Sequence, residues 1–205
     1  DDGFSDEFEQ VIFYGAGACG YAAAAFSVAA PGARVLMLRP QATLDPRVAE
    51  WDDRYLAMRR TSFTDRYGYA PDMLDAAAGA VLLYDPGVEQ DAMHSALFNR
   101  ASVLRFRTRH LGYTMEEVLV RMGVVPRILA QMSAGRLTRQ SLAALWRKRR
   151  DERGYLFPLL RHLTGEQRDA LTVRFCENVL ARKRGGPRYR NALSQARARL
   201  DAPDG

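Results

Sequence analysis

Val11-Ile12-Phe13-Tyr14-Gly15-Ala16-Gly17-Ala18-Cys19-Gly20 runs from a β-prone apolar segment into a glycine-rich turn. An alanine-rich, helix-favouring stretch from Tyr21 to Ala30 follows, and Pro31-Gly32 stops it. Strand, tight turn and helix are thus written in sequence within twenty residues. The same alternation continues outward. Ala33 to Leu38, Ala80 to Tyr84 and Ser102 to Phe106 read as further strands. Asp45 and Pro46 are suited to cap and open a helix reaching Arg60, and Asp91 to Asn99 reads as helix. Strands separated by helix-bearing connections predict an α/β fold with a parallel sheet covered on both faces.

No convincing strand follows Arg107. Thr114-Met115-Glu116-Glu117 has the spacing of a capping box ahead of an apolar helical face at Met115, Val118, Leu119 and Met122. Helices are also expected over 126–134, 138–150, 165–182 and 188–200, with Gly185-Gly186-Pro187 separating the last two. The stripe Leu156, Phe157, Leu159, Leu160 and Leu163 reads as core. The chain therefore divides into an α/β part, residues 1–135, and a basic helical region, residues 136–205.

Composition narrows the classes. Of 205 residues, 47% are apolar and 26% charged, which excludes fibrous and wholly disordered classes. The longest mostly apolar stretch, Tyr21 to Ala33, is shorter than the roughly 20 residues of a membrane span. With no export leader in view, a cytoplasmic protein with two reduced thiols, Cys19 and Cys176, is expected. Those cysteines and the three histidines (His94, His110, His162) are too scattered to form a metal site. Residues 1–99 hold 7 Lys+Arg against 15 Asp+Glu, and residues 100–205 hold 23 against 9. The basic half suits either solvation or an acidic partner. Arg147-Lys148-Arg149-Arg150 lacks an aromatic platform, so nucleic acid is not expected and a solvated helix end is the simpler reading.

The glycine turn admits two readings. Gly15, Gly17 and Gly20 match G-x-G-x-x-G, which in a dinucleotide-binding fold cradles a pyrophosphate at the helix N-terminus. Arg39 then stands at the end of the second strand, where an acidic ribose ligand is usual, and would suit a 2′-phosphate of NADP. Under that reading the protein is an NAD(P)- or FAD-dependent oxidoreductase. The other reading is a nucleophile elbow, G-x-S-x-G, with Gly17 where the serine should stand. Asp91 after the third strand (Asp85 as a second candidate) and His110 after the fourth then follow the hydrolase chain order of nucleophile, acid and histidine.

On these residues the chain resembles the α/β-hydrolase-like superfamily over about residues 8–135, the carboxy-terminal half of that fold. More narrowly it is similar to a group of bacterial hydrolase-like proteins. The tracts that carry the likeness are 13–23 (FYGAGACGYAA), 40–45 (PQATLD), Tyr84-Asp85-Pro86 with Asp91-Ala92-Met93-His94, and His110-Leu111-Gly112. The resemblance implies further strands ahead of the elbow, so the start at Asp1 is expected to mark an incomplete chain. It also implies a pseudoenzyme without serine-hydrolase activity and without a cofactor, acting by binding a ligand or partner. Gly17 is then a degenerate nucleophile position, and Asp91 and His110 are the remaining acid and base. Cys19 is expected to be a small packing residue. Trp51, Tyr55, Tyr67 and Tyr69, with Arg54, Arg59, Arg60 and Arg66, suit either a pocket for an anionic or carbohydrate ligand or an amphipathic surface. A third alternative is an adaptor that binds an acidic partner through the basic helices.

Overall fold

Four short apolar runs pair as strands β1 (Ile12–Ala16), β2 (Arg34–Leu38), β3 (Gly79–Tyr84) and β4 (Val103–Arg107). The computed structural model, which describes residues 7–202, joins them in parallel in the order β1-β2-β3-β4. Helix α1 (Ala18–Ala25) connects β1 to β2. The long second connection carries only the four-residue helices α2 (Pro46–Ala49) and α3 (Ala70–Met73), and α4 (Glu89–Leu97) connects β3 to β4. Parallel neighbours require crossovers, and these are right-handed almost without exception. Three successive crossovers in one direction lay α1, α3 and α4 on one face. Val35, Met37, Ala80 and Leu82 meet Ala23, Ala24, Ala25, Leu74 and Phe98 there in one buried cluster.

Alternation along a strand sends Leu36, Leu38, Val81 and Leu83 to the opposite face. They too are buried, so that face is covered as well. After β4 come α5 (Met115–Arg121), α6 (Val124–Ser133) and α7 (Arg139–Trp146). Met132 of α6 shares a recess with Val81 and Leu104, and α7 packs on β4. Each fully buried leucine, valine or methionine contributes about 1.5–3 kcal/mol. The chain separates into two compact units between Arg147 and Lys148, so α7 belongs with the sheet and the division falls after it, not before it at residue 135. The second unit holds α8 (Arg153–Gly165), α9 (Asp169–Ala181) and α10 (Pro187–Asp201). Leu156, Leu160, Cys176, Val179 and Tyr189 form its core, and burial pushes the Cys176 thiol up to about 11.

Local signals were not all honoured. Thr114 makes no side-chain cap; its hydroxyl donates to Leu111 O at 2.8 Å instead, closing the preceding 3-10 turn. The reciprocal box forms at Thr138 and Ser141, at 3.0 and 3.1 Å. Asp45 does cap α2, accepting from Arg47 N at 2.9 Å, but the expected helix to Arg60 breaks after Ala49 and resumes as a 3-10 turn at Leu56.

Candidate functional site

The carboxyl ends of the strands gather the unusual conformations. Gly17 sits between β1 and α1 at φ 56 and ψ −123. Its N–H donates to Leu38 O at 2.8 Å, and its carbonyl accepts from Tyr21 N at 3.0 Å, which opens α1. Its two flanking glycines serve a different need. A Cβ on Gly15 would lie 2.1 Å from the carbonyl oxygen of Cys19, and one on Gly20 would lie 3.2 Å from Pro40 Cβ. Gly15 and Gly20 thus give space, whereas Gly17 gives a backbone angle that side-chain-bearing residues rarely adopt. Around Gly17 the space is open: an added Cβ would meet only Arg39 Nη2, at 3.9 Å.

Arg39, just past β2, also has a positive φ of 49. Its N–H donates to Leu83 O at 2.9 Å, and its guanidinium carbon stands 5.1 Å from the Tyr113 ring centroid. Its Nε is buried without a hydrogen-bond partner. Past β4, His110 and Gly112 take φ values of 68 and 47. Asp85, buried at the tip of β3, holds this last loop in place. Its Oδ2 accepts from Leu111 N and Gly112 N, both at 2.9 Å, and its Oδ1 from Gly87 N at 2.9 Å. Three of the carboxylate's acceptor positions are therefore taken by backbone amides. The first turn of α1 carries no acidic side chain. The amides of that turn and the Arg39 guanidinium put positive potential on one spot, the usual setting for an anion.

Of the residues expected to form a triad, Gly17 and His110 lie at these strand ends. Asp91 belongs to a different network. It is inside α4, whose N-cap is Val88, so it caps nothing. Its Oδ1 accepts from Arg54 Nη1 at 2.7 Å, and its Oδ2 is buried without a partner. The carboxylate that reaches the His110 loop is that of Asp85.

Asp91 joins a buried polar cluster that sequence reasoning did not assemble. Arg54 also donates through Nε and Nη2 to Asp52, at 2.9 and 2.8 Å, and Asp52 Oδ2 lies 2.8 Å from His94 Nε2. His94 is fully buried, and its Nδ1 accepts from Ala42 N at 3.2 Å. An amide N–H can only donate, so Nδ1 is bare and the imidazole proton sits on Nε2, facing Asp52. Burial holds the His94 pKa below its ordinary value against the pull of Asp52. Burial also opposes ionisation of Asp52, but hydrogen bonds from Arg54 and His94 win and hold it at about 2. The one sequence signal was His94 placed three residues after Asp91 on a helix; its partner Asp52 is too distant along the chain to read.

Trp51 packs on His94 with ring centroids 4.5 Å apart, and Arg54 is committed to the cluster. Tyr67 pairs with Phe26 at 5.2 Å and accepts from Tyr21 at its carbonyl, while the Tyr69 hydroxyl reaches Leu97 O at 3.5 Å. Tyr55 lies under Arg54, and Arg66 over Tyr67. Tyr67 and Tyr69 pack against the buried cluster on the sheet and brace the long second connection there. The side chain of Arg59 lies outside the described residues. Cys19 is exposed in the first turn of α1, not packed inside.

The dinucleotide alternative requires the fourth strand to return beside the first, in the order 3-2-1-4, with the pyrophosphate in the crevice between. Here β4 pairs with β3. Among the described residues, Gly15, Gly17, Gly20 and Arg39 therefore flank no such switch point. No family model, curated protein or solved structure matches this chain. Among the described residues no helix is long and apolar enough to cross a membrane.

Proposed function

We propose that the first unit is an α/β-hydrolase-like core whose serine position is held by Gly17, and that it binds a carboxylate-bearing ligand there instead of hydrolysing one. The observation that carries this reading is the Gly17 backbone, φ 56 and ψ −123, between a parallel strand and a helix. A nucleophile elbow lifts its serine above the sheet on such a strained turn. The order along the chain agrees: Gly17 follows β1, Asp85 follows β3 and His110 follows β4. In this reading Asp85 replaces Asp91 as the relict acid, since it is the one that grips the His110 loop.

Without a hydroxyl, position 17 cannot form an acyl-enzyme. What is left is the binding half of the machinery. The Ala18 N–H stands where an elbow's oxyanion donor stands. Arg39 supplies a planar fork that matches a carboxylate in two parallel hydrogen bonds. Its orphaned Nε, the α1 amides and the missing side chain at Gly17 together favour an anion lodged between them.

Restoring the hydroxyl tests the reading. The wild-type chain is expected to hydrolyse p-nitrophenyl acetate no faster than buffer. Gly17→Ser, at a strain cost of about 1–3 kcal/mol, is expected to gain a rate that a further His110→Ala change removes. A folded Gly17→Ser protein with no rate, or with a rate indifferent to His110, would overturn the hydrolase-like assignment.

A further inference from the structure

The second unit, residues 148–205, carries 14 Lys+Arg against 7 Asp+Glu, and part of that excess is concentrated in one place. Arg153, Lys183, Arg184 and Arg188 line a single recess of about 340 Å³ together with Phe157 and Gly186. No carboxylate lines it. Arg184 makes one long pair, 3.7 Å, with Asp151, and Arg153, Lys183 and Arg188 have no salt-bridge partner among the described residues. The amino end of α10, a helix of 15 residues, opens into the same recess. Gly186 caps it without a side-chain hydrogen bond, and the first turn holds no acidic residue. A Cβ on Gly186 would meet nothing within 4 Å, so the backbone there is open to close approach.

Four cations and the positive end of a helix dipole around one cavity repel each other. Surface arginines that serve only solubility have no reason to converge so. We propose that this recess is a binding site for a phosphoryl group, of the inorganic-pyrophosphate or phosphate-ester class. A phosphoryl dianion supplies about two negative charges and three acceptor oxygens, enough to satisfy several cations and the Arg188 N–H at once, Pro187 having no N–H and the Tyr189 amide donating to Gly186 O. A singly charged carboxylate would leave most of them uncompensated. The aromatic floor refines the choice. Arg188 lies over the Phe157 ring at 4.3 Å and Arg161 at 6.0 Å, so the ring serves to fix guanidinium groups. The site reads the phosphoryl end of its ligand. The converging side chains form one recess, not a track along a helix, which favours a small phosphorylated molecule over a nucleic-acid strand.

The test is a titration of the full chain with inorganic pyrophosphate at about 0.15 M salt, followed by calorimetry. Saturable binding of one equivalent is expected, with Kd raised about tenfold or more in Arg188→Gln and in Arg184→Gln, in line with the loss of one charge-assisted contact. Arg174→Gln, which removes the same charge from an exposed site on α9, is expected to leave Kd unchanged. Absence of saturable binding, or an equal loss in Arg174→Gln, would overturn the site. So would a single-stranded oligonucleotide that binds more tightly than pyrophosphate and is lost equally in all three variants, since that marks a diffuse basic surface.

Discussion

Asp52→Ala is expected to destabilise the first unit by about 3–5 kcal/mol. The carboxylate is fully buried and is shared by two partners, Arg54 and His94. Its removal leaves a largely buried guanidinium with Asp91 alone and an imidazole N–H with no acceptor. Breaking a buried pair from one side costs more than the pair is worth, because the orphaned charge remains. Urea denaturation followed by Trp51 fluorescence in a Trp146→Phe background, which reports on the ring that covers His94, is the measurement. A loss below about 1 kcal/mol, the range of surface ion pairs, would show that the cluster does not hold the second connection. The cluster also fixes a pH dependence. His94 has its folded pKa below the unfolded value, so as pH falls through about 6.5 the unfolded chain gains a proton that the folded chain refuses, and stability drops. Asp52, held at about 2, adds a second loss of on the order of 2 kcal/mol as pH falls below about 4. His94→Gln offers an acceptor to Ala42 and a donor to Asp52 without titrating. It is expected to flatten the stability profile between about pH 5 and 7, and an unchanged profile would place the titrating group elsewhere.

Gly15→Ala is expected to cost at least about 3 kcal/mol, the upper range of overpacking. A methyl there would sit 2.1 Å from the backbone oxygen of Cys19 and 2.8 Å from Gly20 N, and neither is the end of a flexible side chain. Relief requires α1 to move away from β1, which breaks the close approach that sets the Gly17 turn. Thermal unfolding by circular dichroism decides the matter, and a melting temperature within a degree or two of wild type would mean the turn is looser than described.

Much of this arrangement is legible in the sequence. The strands are legible because both faces of a parallel sheet are covered, which makes residues 35–38 and 80–83 apolar without interruption. The glycine turn is legible because Gly15 leaves no room for a Cβ, Gly20 leaves little, and Gly17 has a positive φ. Residues 41–79 are not, because helices of four residues such as α2 and α3 are too short to show a period. The choice of Asp91 over Asp85 rested on position relative to the third strand. Both acids fit that criterion, and only the fold shows that one faces Arg54 and the other the loop after His110. The sequence places the boundary at residue 135 and the structure places it after Arg147, because nothing local in α7 records that Leu142 is buried. The box at Thr138 was missed for a related reason. Ser141 completes it in place of the usual glutamate, whereas the better-looking Thr114 spends its hydroxyl on the preceding turn.

The proposed receptor for an anion is the turn at Gly17, with Arg39 as its grip. Nitrogen-15 NMR of the whole chain during an acetate titration reads this directly. Saturable shifts are expected, confined to the amides of Gly17, Ala18 and Cys19 and to the Arg39 Nε–H, all abolished by Arg39→Gln. Shifts that avoid these four groups, or that persist in Arg39→Gln, would contradict it.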